Sequence, residues 1–166
     1  MKVILVNPLI PQNTGSIGRL CAGFDVELVL VEPLGFKLDD RYLKRAGLDY
    51  WPWITLSIAP NWEAAFEGVE RPWFFSVHCS RPYSDVQYEA GDALVFGSEN
   101  HGLPDELLSS YPTSQRVCIP MVNPEVRSFN LAQCVAVGLC EARRQVGWPA
   151  HRMSSTPKQL PPGLGD

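Results

Sequence analysis

The 166-residue sequence is short of everything that metal, redox or membrane chemistry would need. Its three histidines, His78, His101 and His151, are too scattered for a ligand spacing, so no metal is expected. Its five cysteines include no Cys-x-x-Cys pair and have apolar neighbours, which suits small core residues in a reducing compartment. No apolar run has the length of a membrane span, and the start MKVILVNP lacks the core and cleavage site of a secretory signal. A soluble, cytoplasmic protein with no membrane partner is expected. Positive charge is not in excess: 14 Lys and Arg against 18 Asp and Glu leave a net charge of −4, which argues against indiscriminate nucleic-acid binding. Two phosphate signatures are missing as well. Gly15, Gly18 and Gly23 do not make Gly-x-Gly-x-x-Gly, and no Gly-Lys-Ser/Thr of a P-loop occurs.

What is present is the composition of a single globular domain, 45% hydrophobic and 19% charged. Short apolar runs alternate with helical periods. KVILVN, ELVLVE, PWFFSVH, DALVFG and RVCIPM read as strands. Helices are expected over 14–24 with Asn13 or Thr14 as cap, from about Asp39 to Ala46, in NWEAAFEG behind Asn61, and in LPDELLSS near Pro104. A last helix shows one apolar face through Leu131, Val135, Gly138, Leu139 and Ala142 and ends near Gly147. This alternation predicts an α/β domain over 1–148, a mostly parallel sheet with helices on both faces. Residues 149–166 have no apolar period and carry Pro149, Pro157, Pro161 and Pro162, so a flexible tail is expected.

Ligands of open parallel sheets bind at the carboxyl ends of strands. Three such ends stand out. NPLIPQNTGSIGRLC places Asn13 before a helix and Arg19 on its second turn, where a permanently charged fork of donors suits a phosphate or a developing alkoxide; a surface arginine beside packing glycines is the bland alternative. LVFGSENHGLP sets Gly97 behind a buried strand, with Glu99, Asn100 and Gly102 following. CIPMVNPEVRSFNLAQC clusters Arg127, Ser128 and Asn130 before the longest helix, where simple capping is the alternative. Separately, KLDDRYLKRAG gathers Lys37, Arg41, Lys44 and Arg45 within nine residues, which alone is a solvated helix face.

The order and wording of these loops resemble the SPOUT superfamily of RNA methyltransferases, and within it the small tRNA (cytidine/uridine-2′-O)-methyltransferases of the wobble nucleotide. The matching stretches are IPQNTGSIGRLCA, FGSENHGLP and IPM…RSFNLAQCVAV, together with LVEPLGFKLDDRYLKRAGLDYW, which is similar to a segment of that subgroup. The resemblance implies a C-terminal trefoil knot, a homodimer, S-adenosylmethionine as cofactor and tRNA as substrate. It implies cofactor contacts at Phe75, Gly97, Ile119 and Ser128, with Met121 and Gly102 lining the same cleft and Glu99 orienting the second loop or the cofactor's ammonium. Arg19 would stabilise the alkoxide, Asn13 and Asn130 would position groups, and Arg41, Lys44 and Arg45 would contact RNA phosphates. Methylation of another RNA or tRNA position, or a non-catalytic RNA-binding protein of this fold, are the alternatives. Asp25, Glu27, His78 and the pair Ala132-Gln133 depart from the subgroup's usual residues.

Overall fold

The structure is a computed structural model that describes residues 1–38 and 50–148. The helix expected from Asp39 to Ala46, the basic residues Arg41, Lys44 and Arg45, and the tail expected over 149–166 lie outside the described residues.

Six strands form one sheet: β1 (Lys2–Val6), β2 (Glu27–Val31), β3 (Leu56–Ala59), β4 (Arg71–Phe75), β5 (Asp92–Phe96) and β6 (Arg116–Val117). Their order is β3-β2-β1-β5-β4-β6, and every neighbouring pair is parallel. Among the described residues four α-helices lie between or after them: α1 (Pro11–Phe24), α2 (Trp62–Ala65), α3 (Asp105–Ser109) and α4 (Leu131–Val146). The α/β architecture expected from the alternation is therefore the one found.

Strand periodicity decides the layers. In β1, Val3 and Leu5 join Ile17 and Cys21 of α1 and Val135 and Leu139 of α4 on one face. Ile4 and Val6 join Ala65 of α2 and Leu107 of α3 on the other. All of these are buried, which is why the strands read as continuous apolar runs rather than alternating ones. Burial leaves the Cys21 thiol unable to ionise readily and pushes its pKa up to about 12, so it is a packing residue.

Some local expectations are corrected. Helix α1 begins at Pro11, not Thr14: proline's missing N–H costs nothing at the first helical position, so the helix starts one turn sooner, behind Ile10. Asn13 is consequently inside the first turn and not a cap. The strand read in RVCIPM shrinks to Arg116–Val117, because Cys118 turns to bridge with Pro82. Pro104 stands at the cap of α3, next to its first turn as read. The edge strand β3 was not expected, since Ser57 and the exposed Ile58 give it no apolar face. By contrast, Asn61 accepts from the Ala64 amide at 2.9 Å and caps α2 as its residue type predicts.

Candidate functional site

Strand β1 leads toward β2 and β3, while β5 sits on its other side; the loops leaving β1 and β5 therefore diverge at the point where strand order reverses. Such crevices are where open α/β sheets bind ligands. A carboxylate bridges this one. Glu99, in the loop after β5, accepts from the backbone N–H groups of Leu9 at 2.8 Å and Ile10 at 3.2 Å, and from Asn13 Nδ2 at 3.0 Å. Leu9 and Ile10 lie between Pro8 and Pro11, which have no N–H to give, so Glu99 takes both donors the turn offers. Asn13, itself buried, then accepts from Asn130 Nδ2 at 3.0 Å. Asn130 Oδ1 meanwhile accepts from the Ala132 amide at 2.9 Å and caps α4. One chain of hydrogen bonds thus joins all three loops singled out in the sequence. Both oxygens of Glu99 are engaged by the first loop, and orientation of that loop is the role these contacts support.

Of the residues expected to hold a cofactor, Phe75 and Gly97 stand at the ends of adjacent strands β4 and β5, and Ile119 follows two residues after β6. Phe75 is level with Phe96 on β5 and with Val117 on β6, so Gly97 and Cys118 follow on either side of it. The Phe75 ring is buried, stacked on Phe96 with centroids 4.4 Å apart, and its end would meet a Cβ on Gly138 at 2.6 Å. The ring is therefore core, and only the main chain of Phe75 faces the strand ends. Gly97 is needed for the turn itself: a Cβ there would lie 1.9 Å from the Gly102 carbonyl carbon, across the paired amides of Ser98 and Gly102. Gly102 has φ +69, the left-handed region.

Beyond β6 the chain is different in kind. The backbone N–H groups of Ile119, Met121, Arg127 and Ser128 make no hydrogen bond with any other described residue. Ile119 is half-buried against the core, Met121 is half-buried, and Ser128 is exposed. Open backbone donors, with half-buried Ile119 to offer apolar surface, are what an adenine and a ribose need, and in that respect the residues fit S-adenosylmethionine. Among the described residues no hydrogen bond joins Met121 or Ser128 to Phe75 or Gly97. Arg19 also stands apart from the network: it is exposed on α1 with its guanidinium over the Tyr50 ring, 4.6 Å from the centroid. Tyr50 and the two N–H groups of Leu9 and Ile10 were not anticipated; only the Pro-x-x-Pro frame of the latter was visible in the sequence.

Residues 1–140 match the SpoU rRNA methylase family. The chain belongs to that family. It is similar to a tRNA (cytidine(34)-2′-O)-methyltransferase of Aeromonas hydrophila subsp. hydrophila, 47% identical over 150 residues that cover 89% of this chain and 96% of the relative. Among solved structures it resembles one concerned with the 2-OH methylation of C/U34 on tRNA, at TM-score 0.81 and 41% identity, covering 87% of this chain and 94% of that one. An AdoMet-bound rRNA methyltransferase from Sinorhizobium meliloti is 26% identical at TM-score 0.74, over 92% of this chain and 57% of that one. No helix among the described residues is long and apolar enough to cross a membrane. Nor do the described residues hold a group of three or more metal-ligating side chains.

Proposed function

We propose that this chain transfers a methyl group from S-adenosylmethionine to the ribose 2′-hydroxyl of the wobble nucleotide of tRNA, a cytidine or uridine. The observation that carries the reading is the Glu99–Asn13–Asn130 chain, which locks the first loop against two loops suited to an adenosyl cofactor. The named substrate of the relatives, position 34 of tRNA, supports the choice of nucleotide.

The bound cofactor would supply a methyl group activated by its sulfonium. Main chain at Phe75, Gly97 and Ile119, with Met121, Gly102 and the Ser128 hydroxyl, would hold it. The residues of this chain must then place a ribose hydroxyl in line with that methyl and favour the alkoxide that develops as the proton leaves. Arg19 does the second task as a permanent cation; it cannot act as the base, because its guanidinium keeps its proton. Asn13 and Asn130 hold the start of α1 in place. Arg41, Lys44 and Arg45 would contact tRNA phosphates.

We further propose a cytoplasmic homodimer with the trefoil knot of the superfamily. Exposed Ile10, Trp53, Phe129 and Trp148 supply apolar surface for a second copy, and exposed Arg19 is free to reach a partner protomer's site.

The test is methyl incorporation from labelled S-adenosylmethionine into a full set of unmodified tRNA transcripts, with Arg19→Ala beside the wild type. Label mapped to the wobble ribose of a few tRNAs, reduced by about 10² or more in the variant, is expected. Label at another position would move the substrate, and cofactor binding with no label in any tRNA would overturn the reading.

A further inference from the structure

A second cleft, of about 400 Å³, lies beside edge strand β6, between segments 78–81 and 113–116. It has two arginines in its lining, Arg81 and Arg116, with His78, Ser80 and Ser114 among their neighbours and no carboxylate. In a chain of net charge −4 that is an unusual concentration. Arg71 pairs with Glu89 and Asp92, and Arg144 with Glu141, whereas Arg143 gives its Nη2 to the carbonyls of Phe24 and Asp25. Neither Arg81 nor Arg116 has an ion-pair partner among the described residues.

Each guanidinium carries five N–H donors. Arg81 gives Nη1 to the Ser114 carbonyl at 2.9 Å, and Arg116 gives Nη2 to the Leu108 carbonyl at 2.6 Å. Arg116 Nε is buried with no acceptor. The frame that holds them is tight. Cys79 Sγ donates to the Arg116 carbonyl at 3.1 Å, the Arg81 amide donates to Cys79 Sγ at 3.3 Å, and the Cys118 amide donates to the Arg81 carbonyl at 2.8 Å. Two cations thus line one cleft, each with a single N–H spent on a backbone carbonyl, and a guanidinium with open donors suits an oxyanion.

We propose that this cleft binds a backbone phosphate of the RNA substrate, through residues other than those assigned to the cofactor and other than the basic segment 37–45. The inference rests on the reading of the chain as a tRNA methyltransferase. The cleft is a wide surface groove whose Ser80, Arg81 and Ser114 are exposed, which suits a phosphodiester lying across it on a long polymer. Its position serves the same purpose: Cys118, bonded to Arg81, is followed directly by Ile119 of the cofactor loop. An acidic enzyme needs such local anchors, since its overall field repels RNA.

The experiment measures the affinity of the full chain for an unmodified tRNA transcript across a salt series, for wild type, Arg81→Gln and Ser80→Asp. The second variant places a carboxylate in the cleft while leaving the Arg81 bond to Ser114 intact, so it serves if the first destabilises the fold. Each variant is expected to bind tRNA roughly three- to tenfold more weakly at low salt, with the log–log salt slope reduced by about 0.7 to 1. Cofactor affinity and Tm should not change. An unchanged slope in both variants overturns the proposal, and so does a loss of cofactor affinity at constant slope. Inorganic phosphate bound by the wild type and not by Arg81→Gln, with tRNA slopes equal, would assign a free anion and overturn the RNA contact. Slopes that fall in a protein inactive on every tRNA would sink the proposed reaction and keep this site; normal methyl transfer with unchanged slopes would do the reverse.

Discussion

Asn130 donates to Asn13 across 3.0 Å, although 117 residues separate them. The bond joins the cap of the last helix to the first turn of the first, and Asn13 passes the constraint on to Glu99. The loops of the proposed site are therefore one mechanical unit.

The tie between the two asparagines should be measurable as a coupling. A double-mutant cycle of Asn13→Ala and Asn130→Ala in denaturant is expected to give about 0.5–1.5 kcal/mol of interaction energy. Asn130→Asp keeps an oxygen for the Ala132 amide but loses the donor, so it should cost less than Asn130→Ala by about 1 kcal/mol. Strict additivity of the two alanine variants would show that the bond is not formed in solution.

Glu99→Gln is nearly isosteric, yet it puts an amide donor where the first loop already supplies three. One N–H would lose its acceptor, at about 1–3 kcal/mol. Thermal unfolding should register that loss, and methyl transfer should slow while cofactor affinity holds. Equal Tm and equal rate would remove Glu99 from the site.

Gly97→Ala and Gly102→Ala should behave differently despite their proximity. At Gly97 the new methyl would sit 1.9 Å from backbone, which only displacement of the loop can relieve. At Gly102 nothing lies within 4 Å, and only the strain of φ +69 is paid, about 1 kcal/mol. The first variant is expected to lose cofactor binding as read by calorimetry, the second to keep most of it.

Glu141 gives a pH signature unrelated to chemistry. Hydrogen bonds from Arg144 at 2.8 Å, and then from Gln145 at 2.7 Å, hold its carboxyl down at about 2. A carboxyl lowered by folding stabilises the native state above its ordinary value of 4.5, and that stabilisation drains away as pH falls from there to about 2. Glu141→Gln should therefore be less stable than wild type at pH 7 and converge with it near pH 2. A gap of constant size across that window would contradict the pairing.

The fold was legible where burial on both faces leaves unmistakable apolar runs, as in β1, β2 and β5. It was not legible at β3, where a half-exposed edge strand has no period to show, nor at the start of α1, where Pro11 begins a helix that capping residues seemed to place three residues later. Of the site, the loops were readable as motifs and as a family resemblance. Their connection was not, because the partners of Glu99 are two backbone amides 89 and 90 residues away, and backbone donors have no letter in a sequence.

Strand β1 stands in the middle of the finished sheet. β1 pairs with β2 early, but its other neighbour is β5, whose register runs from Lys2↔Ala93 to Leu5↔Phe96, and the Met1 ammonium donates to the Ala90 carbonyl. At roughly 5–20 residues per second, a ribosome delivers that partner several seconds after β1 has emerged. During the wait an apolar strand edge is open on the nascent chain. Protease resistance of β1 on stalled ribosomes should accordingly rise only once residue 96 has cleared the exit tunnel.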